Sequence, residues 1–315
     1  MELHPENEPL LNKDDKDSYI NIDEENNKKS KEQIINKSCD KDYFEYLFFC
    51  CYNYDVSQKQ YNNHSALSKK CLISYDKDNQ NHEKLLFEFF TNIKELIPEE
   101  EGYEMMEDTN PNTLNNIIEN ENNDLDESNS LVKNVSKKIG FQSDNPRTDF
   151  RSGGVYSLEF MNYFVIHHKV ELKNNIIKEK YFNFVLASIN LSFCVRLVLY
   201  LTNIINVETT LKSYNLQGFT RKQIKHFSEQ LERESTTKDD FLFELMSQCL
   251  LFVFKKYQSE IEYDKKDENF VKINSIIKEA IYYLGDTLNQ TNKNENLEEK
   301  LIHKLAGELI GKNLK

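Results

Sequence analysis

The stretch that decides the fold of this chain is YFNFVLASINLSFCVRLVLYLTNI, residues 181–204. Drawn on a helix, its apolar side chains cover nearly the whole circumference, which is typical of a helix buried in the middle of a domain. A membrane-spanning helix is disfavoured because Asn183, Asn190 and Arg196 would each be costly in lipid. Arg196 is expected to pair with a buried carboxylate or a backbone carbonyl. The stretch therefore predicts a central buried helix.

Amphipathic patterns on both sides of this stretch predict the helices that pack against it. They cover residues 82–97, 156–168, 239–257 and 270–284, with a weaker helix through Leu297, Leu301 and Leu305. Asn79 or Asn81 is expected to cap the first of these helices. The pair Lys255-Lys256 suits the C-terminal end of the third helix, and Gly285 is expected to cap the fourth. Because no stretch alternates long enough to build a sheet, the fold class is all-α.

Composition divides the chain into segments. Residues 1–40 carry too few apolar side chains to offset the entropy cost of ordering, which predicts a disordered tail. Residues 99–130 are acidic and rich in Asn, which predicts a mostly disordered loop inside the domain. The expected organisation is an aromatic N-terminal segment at 41–64, a helical domain at 65–260 that contains this loop, and a C-terminal helical extension at 261–315.

An aromatic patch, YFEYLFFCCYNY at residues 43–54, follows the tail. It is too short to span a bilayer, which takes about 20 residues. One interpretation is a strand or short helix that packs on the main domain. The other is a peripheral contact with a membrane surface, with Cys50 and Cys51 as acylation sites.

Charge and cysteine content narrow the class of protein. The net charge of -13 and the pI near 5.2 argue against nucleic-acid binding, which requires a basic face. The six cysteines show no metal-ligand spacing, and Cys194 and Cys249 lie in apolar helical patterns, as buried free thiols of a reducing compartment do. The pair His167-His168 has no acidic or thiol partner at ligand spacing, so no metal site is predicted. The N-terminus has no apolar core of a signal peptide, and the expected location is cytoplasmic.

The segment with the most specific pattern is IGFQSDNPRTDFRSGG, residues 139–154, which holds three of the eight glycines. Such a concentration indicates a backbone that turns tightly or approaches another chain closely. Asn145-Pro146 is a turn or helix-start signal. Asp149 precedes Arg151 by two residues, close enough to orient its guanidinium by a charge-assisted hydrogen bond. A pair of this kind is also common as a structural ion pair that holds a loop.

This segment resembles the signature of the ELMO-domain family, which contains Gly-Phe-Gln, then Asn-Pro-x-Thr-Asp-x-Arg, then a glycine turn and a Leu-rich helix. The matching positions are Gly140, Phe141, Gln142, Asn145, Pro146, Thr148, Asp149, Arg151 and Gly154. His82-Glu83-x-Leu85-Leu86 and Phe184-Val185-x-x-x-Ile189-Asn190-Leu191 are also similar to family landmarks. The resemblance covers roughly residues 65–260 and implies one multi-helix ELMO-type domain.

The chain also departs from the family pattern. It has no Trp, and Ser136 stands where the family has one. Ser152 replaces the first glycine of the Gly-x-Gly turn, and Ser157 replaces a further glycine. These departures concern local packing and partner preference more than the fold.

The resemblance implies a function through small GTPases. Stand-alone ELMO domains act as GTPase-activating proteins for GTP-bound Arf and Arl-like GTPases, with the arginine of the motif, here Arg151, as catalytic residue. The residues that would contact the GTPase or position the arginine are Gln142, Asn145, Thr148, Asp149, Gly153 and Gly154. Gln142 could position the attacking water or bond the loop. No Walker-type Gly-x4-Gly-Lys-Ser/Thr occurs, so neither a bound nucleotide nor another cofactor is predicted for the chain itself.

The alternative is a non-catalytic scaffold. Engulfment-type ELMO proteins generally lack the arginine and work together with a Rac exchange factor. A scaffold of that type would use the same surface to bind a small GTPase or its exchange factor. Because Arg151 is present, the resemblance favours the stand-alone type.

Overall fold

The computed structural model describes residues 57–97, 136, 139–143, 145–151, 153–177, 182–202, 206–233, 238–260, 269–292 and 295–312. All of them lie in one unit, Tyr43–Lys315. These residues form helices and turns without a β-strand, which confirms the all-α prediction. The predicted tail at 1–40, the aromatic patch at 43–54 with Cys50 and Cys51, and the loop at 99–130 lie outside the described residues.

The helices are numbered in chain order. Within the described residues they are α1 Gln58–Cys71, α2 Gln80–Lys94, α3 Gly154–His167, α4 Lys169–Glu171, α5 Phe184–Val198, α6 Val207–Ser213, α7 Arg221–Arg233, α8 Lys238–Glu260, α9 Asn269–Gln290 and α10 Leu297–Lys312. A 3-10 helix, Pro146–Arg151, precedes α3, and a π-helical turn, Leu172–Ile176, follows α4.

Helix α5 is the central helix that the apolar stretch predicts. Thirteen of its 15 residues are buried, and it packs against α3, α8 and α9. Arg196 donates from Nη1 to the Cys71 carbonyl oxygen at 2.8 Å and from Nε to the Ser192 carbonyl oxygen at 3.2 Å, which confirms the expected pairing with backbone carbonyls. Burial lowers the pKa of Arg196. The guanidinium thereby satisfies a carbonyl at the C-terminal end of α1.

The predicted helix ends are right in one place and wrong in two. Asn79 caps α2, since its side chain accepts from the Asn81 amide. Gly285 is not a C-cap, because α9 continues to Gln290. A Cβ at Gly285 would lie 2.8 Å from Phe219 Cε1, so glycine there permits the close approach of neighbouring residues. Lys256 is not at the end of α8 either: it is 4% exposed and pairs with Glu279.

Four helices of the described residues were not among the predicted ones: α1, the short α4, α6 and α7. Helix α1 crosses the expected boundary between residues 64 and 65 without interruption and packs against α7. At the other end of the domain, α9 and α10 both pack against α8. The residues expected to form a C-terminal extension therefore contribute helices that contact the central part of the fold.

The described cysteines are buried, and His168 has an acidic partner. Cys71, Cys194 and Cys249 are buried free thiols, as expected for the last two, and burial raises the pKa of each to about 12. His168 Nε2 lies 3.2 Å from Glu244 Oε2, an acidic partner that is far away in sequence. No described helix is long and apolar enough to cross a membrane.

Candidate functional site

The segment that carries Arg151 is a 3-10 helix, and its first residues explain why it begins there. Pro146 occupies the first helical position, where a missing backbone N–H costs nothing. Asn145 Oδ1 accepts from the Arg147 amide at 3.2 Å, and the Asn145 carbonyl oxygen accepts from the Thr148 amide at 3.1 Å. The prediction of a turn or helix start at Asn145-Pro146 is confirmed.

A network of polar atoms closes the loop in front of this helix. Asp149 Oδ2 accepts from the Gln142 amide at 2.6 Å, and Oδ1 lies 3.2 Å from the Ser143 hydroxyl. That hydroxyl is also 2.6 Å from both the Asn145 carbonyl oxygen and Thr148 Oγ1. Burial raises the pKa of Asp149, although the hydrogen bonds from Gln142 and Ser143 oppose this. Four of the predicted site residues therefore meet in one hydrogen-bonded loop.

Arg151 itself stands apart from this network. It is exposed at the end of the 3-10 helix, and it makes no hydrogen bond or ion pair with any residue that the structure describes. The expected bond from Asp149 to Arg151 is therefore wrong: the Asp149 carboxylate accepts from the Gln142 amide and the Ser143 hydroxyl, and Arg151 lies on another side of the helix. The alternative of a structural Asp149–Arg151 ion pair falls for the same reason. Gln142 bonds the loop through its backbone amide, while its side chain is exposed.

The structural ion pair of this segment is made by another arginine, which the sequence did not reveal. Arg147 donates from Nε to Glu83 Oε1 at 2.8 Å and from Nη2 to Glu83 Oε2 at 2.5 Å. The Tyr75 hydroxyl donates to Glu83 Oε1 at 2.8 Å. Glu83 belongs to α2, so the pair ties the 3-10 helix to a different helix of the core. Its only sequence signal was that Glu83 lies in a family landmark and Arg147 inside the motif.

Aromatic packing also anchors the 3-10 helix. Phe150 is 1% exposed and stacks on Tyr75 with ring centroids 5.3 Å apart. Its ring also meets Phe141 edge-on at 6.1 Å, and Phe141 stacks on Phe90 of α2 at 5.6 Å. Because such pairs add to the free energy of burial, they hold the backbone of the 3-10 helix against the core.

Two glycines form the turn from the 3-10 helix into α3, and both are buried. Gly154 has φ +60, and a Cβ there would lie 2.5 Å from the Ile73 carbonyl oxygen. That oxygen accepts from the Val155 amide at 3.0 Å. A Cβ at Gly153 would meet the Ser157 hydroxyl, which donates to the Gly153 carbonyl oxygen at 3.0 Å. Glycine at both positions therefore permits close packing at the start of α3. Ser152 lies outside the described residues.

Ser136, at the position of the family's Trp, is 1% exposed. Its carbonyl oxygen accepts from the amides of Gly140 and Phe141, at 3.1 and 2.9 Å. Its hydroxyl has no hydrogen-bond partner among the described residues. At this buried position the backbone of Ser136, rather than its side chain, holds the start of the loop.

Replacing Asp149 by alanine is expected to loosen this loop and to lower the free energy of unfolding by about 1–3 kcal/mol, since the charge-assisted bond from the Gln142 amide and the Ser143 contact are lost. Chemical denaturation measures the change, and hydrogen exchange of the Gln142 amide locates it. Asp78→Ala is the matched control: Asp78 is exposed, and a change within about 0.5 kcal/mol is expected. Equal effects of the two substitutions would contradict the role given to Asp149.

Comparison with known proteins identifies the family of the chain. The model of the ELMO/CED-12 family matches residues 65–274, about two thirds of the chain. The match begins within α1, ends within α9 and includes the whole 3-10 helix. No curated protein and no solved structure gives a significant match. The chain belongs to the ELMO/CED-12 family, whose members associate with small GTPases, and its function is accordingly related to small GTPases.

Proposed function

We propose that this protein is a GTPase-activating protein for Arf/Arl-family small GTPases and that it supplies Arg151 to the transition state of GTP hydrolysis. The observation that carries the proposal is the exposure of Arg151 together with its lack of a hydrogen-bond or ion-pair partner among the described residues. Arg151 lies at the end of a helix that is otherwise firmly anchored. A residue with only a structural role would be expected to bond within its own domain.

The chemistry of GTP hydrolysis explains why an arginine is suited to this task. As the γ-phosphoryl group transfers, negative charge develops on its oxygens and on the leaving group. A guanidinium is planar, carries several donors and stays charged, so it stabilises this charge well. An arginine supplied in trans raises the rate by about 10³–10⁵-fold, which corresponds to roughly 4–7 kcal/mol of the barrier.

The other residues of the segment have supporting roles in this proposal. Asn145, Thr148 and Asp149 fix the 3-10 helix through the hydrogen-bonded loop. Gly154 lets the chain pass close to the connection between α1 and α2, and Gly153 lets it pass close to Ser157 of α3. The exposed Gln142 side chain is available to the bound GTPase. The chain performs no chemistry alone, and the GTP-bound partner provides the nucleotide and its magnesium. A cytoplasmic location, with peripheral membrane contact through residues 43–54, completes the proposal.

The test is single-turnover GTP hydrolysis by a panel of Arf and Arl GTPases, each loaded with GTP and mixed with wild-type protein or with Arg151→Ala. The proposal expects acceleration of at least one GTPase by the wild type and its near-complete loss in the variant. Binding of the GTP-bound form, measured separately, should persist in the variant. No acceleration of any Arf or Arl GTPase, or full acceleration by Arg151→Ala, would overturn the proposal.

A second candidate, a non-catalytic scaffold for a small GTPase or its exchange factor, is favoured by a different observation. Leu72 and Ile73 are adjacent apolar residues that are 37% and 45% exposed, and the Ile73 carbonyl oxygen accepts from the Val155 amide at the start of α3. An exposed apolar pair that is bonded to the helix following Arg151 suits partner binding with or without catalysis. The same panel separates the two, because a scaffold binds the GTPase without changing its hydrolysis rate.

A further inference from the structure

We propose that Glu83 and Arg147 are positioning residues for Arg151: the pair fixes the direction in which the 3-10 helix presents the catalytic guanidinium. This inference rests on the proposed function and deepens it. Two arginines of one short helix would then have separate tasks, since Arg147 holds the element and Arg151 reaches the partner.

The geometry of the pair is that of a rigid clamp. Two nitrogens of the Arg147 guanidinium, Nε and Nη2, donate to separate oxygens of Glu83 at 2.8 and 2.5 Å, which is the bidentate arrangement of an arginine and a carboxylate. The side chains are 11% and 13% exposed, so solvent screens the pair little. Two parallel hydrogen bonds restrict rotation, which one lysine contact does not.

The helical geometry explains how the clamp acts on Arg151. A 3-10 helix has three residues per turn, so residues three apart share a side. Arg147 and Phe150 share the side that is held by the rest of the domain: Phe150 is buried against Tyr75 and Phe141, and Arg147 bonds to Glu83 of α2. Arg151 lies one position beyond Phe150 and therefore points away from this side. Holding Arg147 and Phe150 sets the rotation of the helix about its axis, and with it the direction of Arg151.

The Tyr75 hydroxyl adds a third donor to the Glu83 carboxylate at 2.8 Å, while the Tyr75 ring stacks on Phe150. Tyr75 therefore belongs both to the hydrogen bonds around Glu83 and to the aromatic packing around Phe150. Glu83 lies in the first turn of α2, whose start is capped by Asn79, so the carboxylate is held by a capped helix. A catalytic group displaced by about 1 Å can lose about 10²-fold in rate, which is the scale on which such support matters.

The experiment uses the full chain with Arg147→Lys and with Glu83→Gln, which keep approximate size and alter the clamp. At saturating protein, the maximal single-turnover rate of the responsive GTPase is expected to fall by about 10–100-fold. The protein concentration for half-maximal rate should change by less than about threefold, because the residues act on orientation and not on partner binding. In an Arg151→Ala background the same substitutions should cause no further loss.

The matched controls are Glu88→Gln on the same helix, where Glu88 meets only an exposed Lys84 at 3.8 Å, and Arg221→Lys at the start of α7. Neither should change the rate. Hydrogen exchange of the Thr148 amide gives a readout without any GTPase, and it should be faster in both clamp variants. An unchanged maximal rate, an equal loss in the Arg151→Ala background, or unchanged Thr148 exchange would each overturn the inference. If wild type and Arg151→Ala are equally inactive, the proposed function fails and the inference falls with it.

Discussion

Arg151→Lys is expected to lose most of the GTP hydrolysis that the protein induces, a decrease of about 10³–10⁵-fold in the single-turnover rate. Lysine keeps the positive charge but presents a compact ammonium in place of a planar fork of donors, so it cannot bond several oxygens of the transferring phosphoryl group in the same way. Because Arg151 makes no hydrogen bond or ion pair with a described residue of its own domain, the loss reports on the transition state and not on the fold.

The measurement is the rate of phosphate release from a preloaded GTPase at saturating variant, with partner affinity and thermal stability determined alongside. The free energy of unfolding should stay within about 0.5 kcal/mol of wild type, as for other exposed positions. Arg221→Lys, a substitution of the same kind away from the segment, provides the control and should remain fully active. A Lys variant that accelerates hydrolysis as wild type does would show that only charge, and no guanidinium geometry, is required.

The central helix could be predicted from sequence because its signal is local and strong. An apolar run with few polar side chains has no other stable place than the core, and the structure buries nearly all of α5. Helix α7 gave a clear signal too, with Ile224, Phe227 and Leu231 at helical spacing and all buried. This pattern of apolar residues was sufficient to predict α7, although α7 was not among the predicted helices.

Helix α1 was missed for a physical reason. Much of its buried side is polar, including Gln60, Asn63 and His64, so the spacing of apolar residues does not reveal it. His64 is fully buried, and its Nε2 lies 3.1 Å from the Leu199 carbonyl oxygen. Desolvation lowers the pKa of His64 to about 4, against the opposing effect of that backbone bond. Only the tertiary fold provides the partner that makes a polar buried face acceptable.

The site shows the same division between local and distant contacts. The turn at Asn145-Pro146 is set by neighbouring residues and was predictable. The partner of Arg147 is 64 residues away on α2, and nothing in the spacing indicates it. The expected Asp149–Arg151 bond failed because residues two apart in a 3-10 helix lie on different sides, while the Gln142 amide is directly opposite the Asp149 carboxylate.

Gly140→Ala is expected to be strongly destabilising, lowering the free energy of unfolding by about 2–6 kcal/mol. Gly140 has φ +93, a conformation that L side chains rarely adopt. A Cβ there would lie 2.6 Å from Asn183 Cα and 2.7 Å from Asn183 Cβ, next to the start of α5. Because a backbone atom cannot turn away as a flexible side chain does, the loop and the central helix would have to separate.

Thermal unfolding measures this effect, and the midpoint should fall by roughly 5–20 °C, given about 2–4 °C for each kcal/mol in a domain of this size. Gly307→Ala is the matched control, since Gly307 lies in the exposed interior of α10 with nothing within 4 Å of a Cβ. That substitution should leave stability unchanged or raise it by about 0.5–1 kcal/mol, because alanine favours a helix. If Gly140→Ala unfolds at the temperature of Gly307→Ala, the loop is not packed against α5 as the structure has it, and the anchoring of Arg151 would need another explanation.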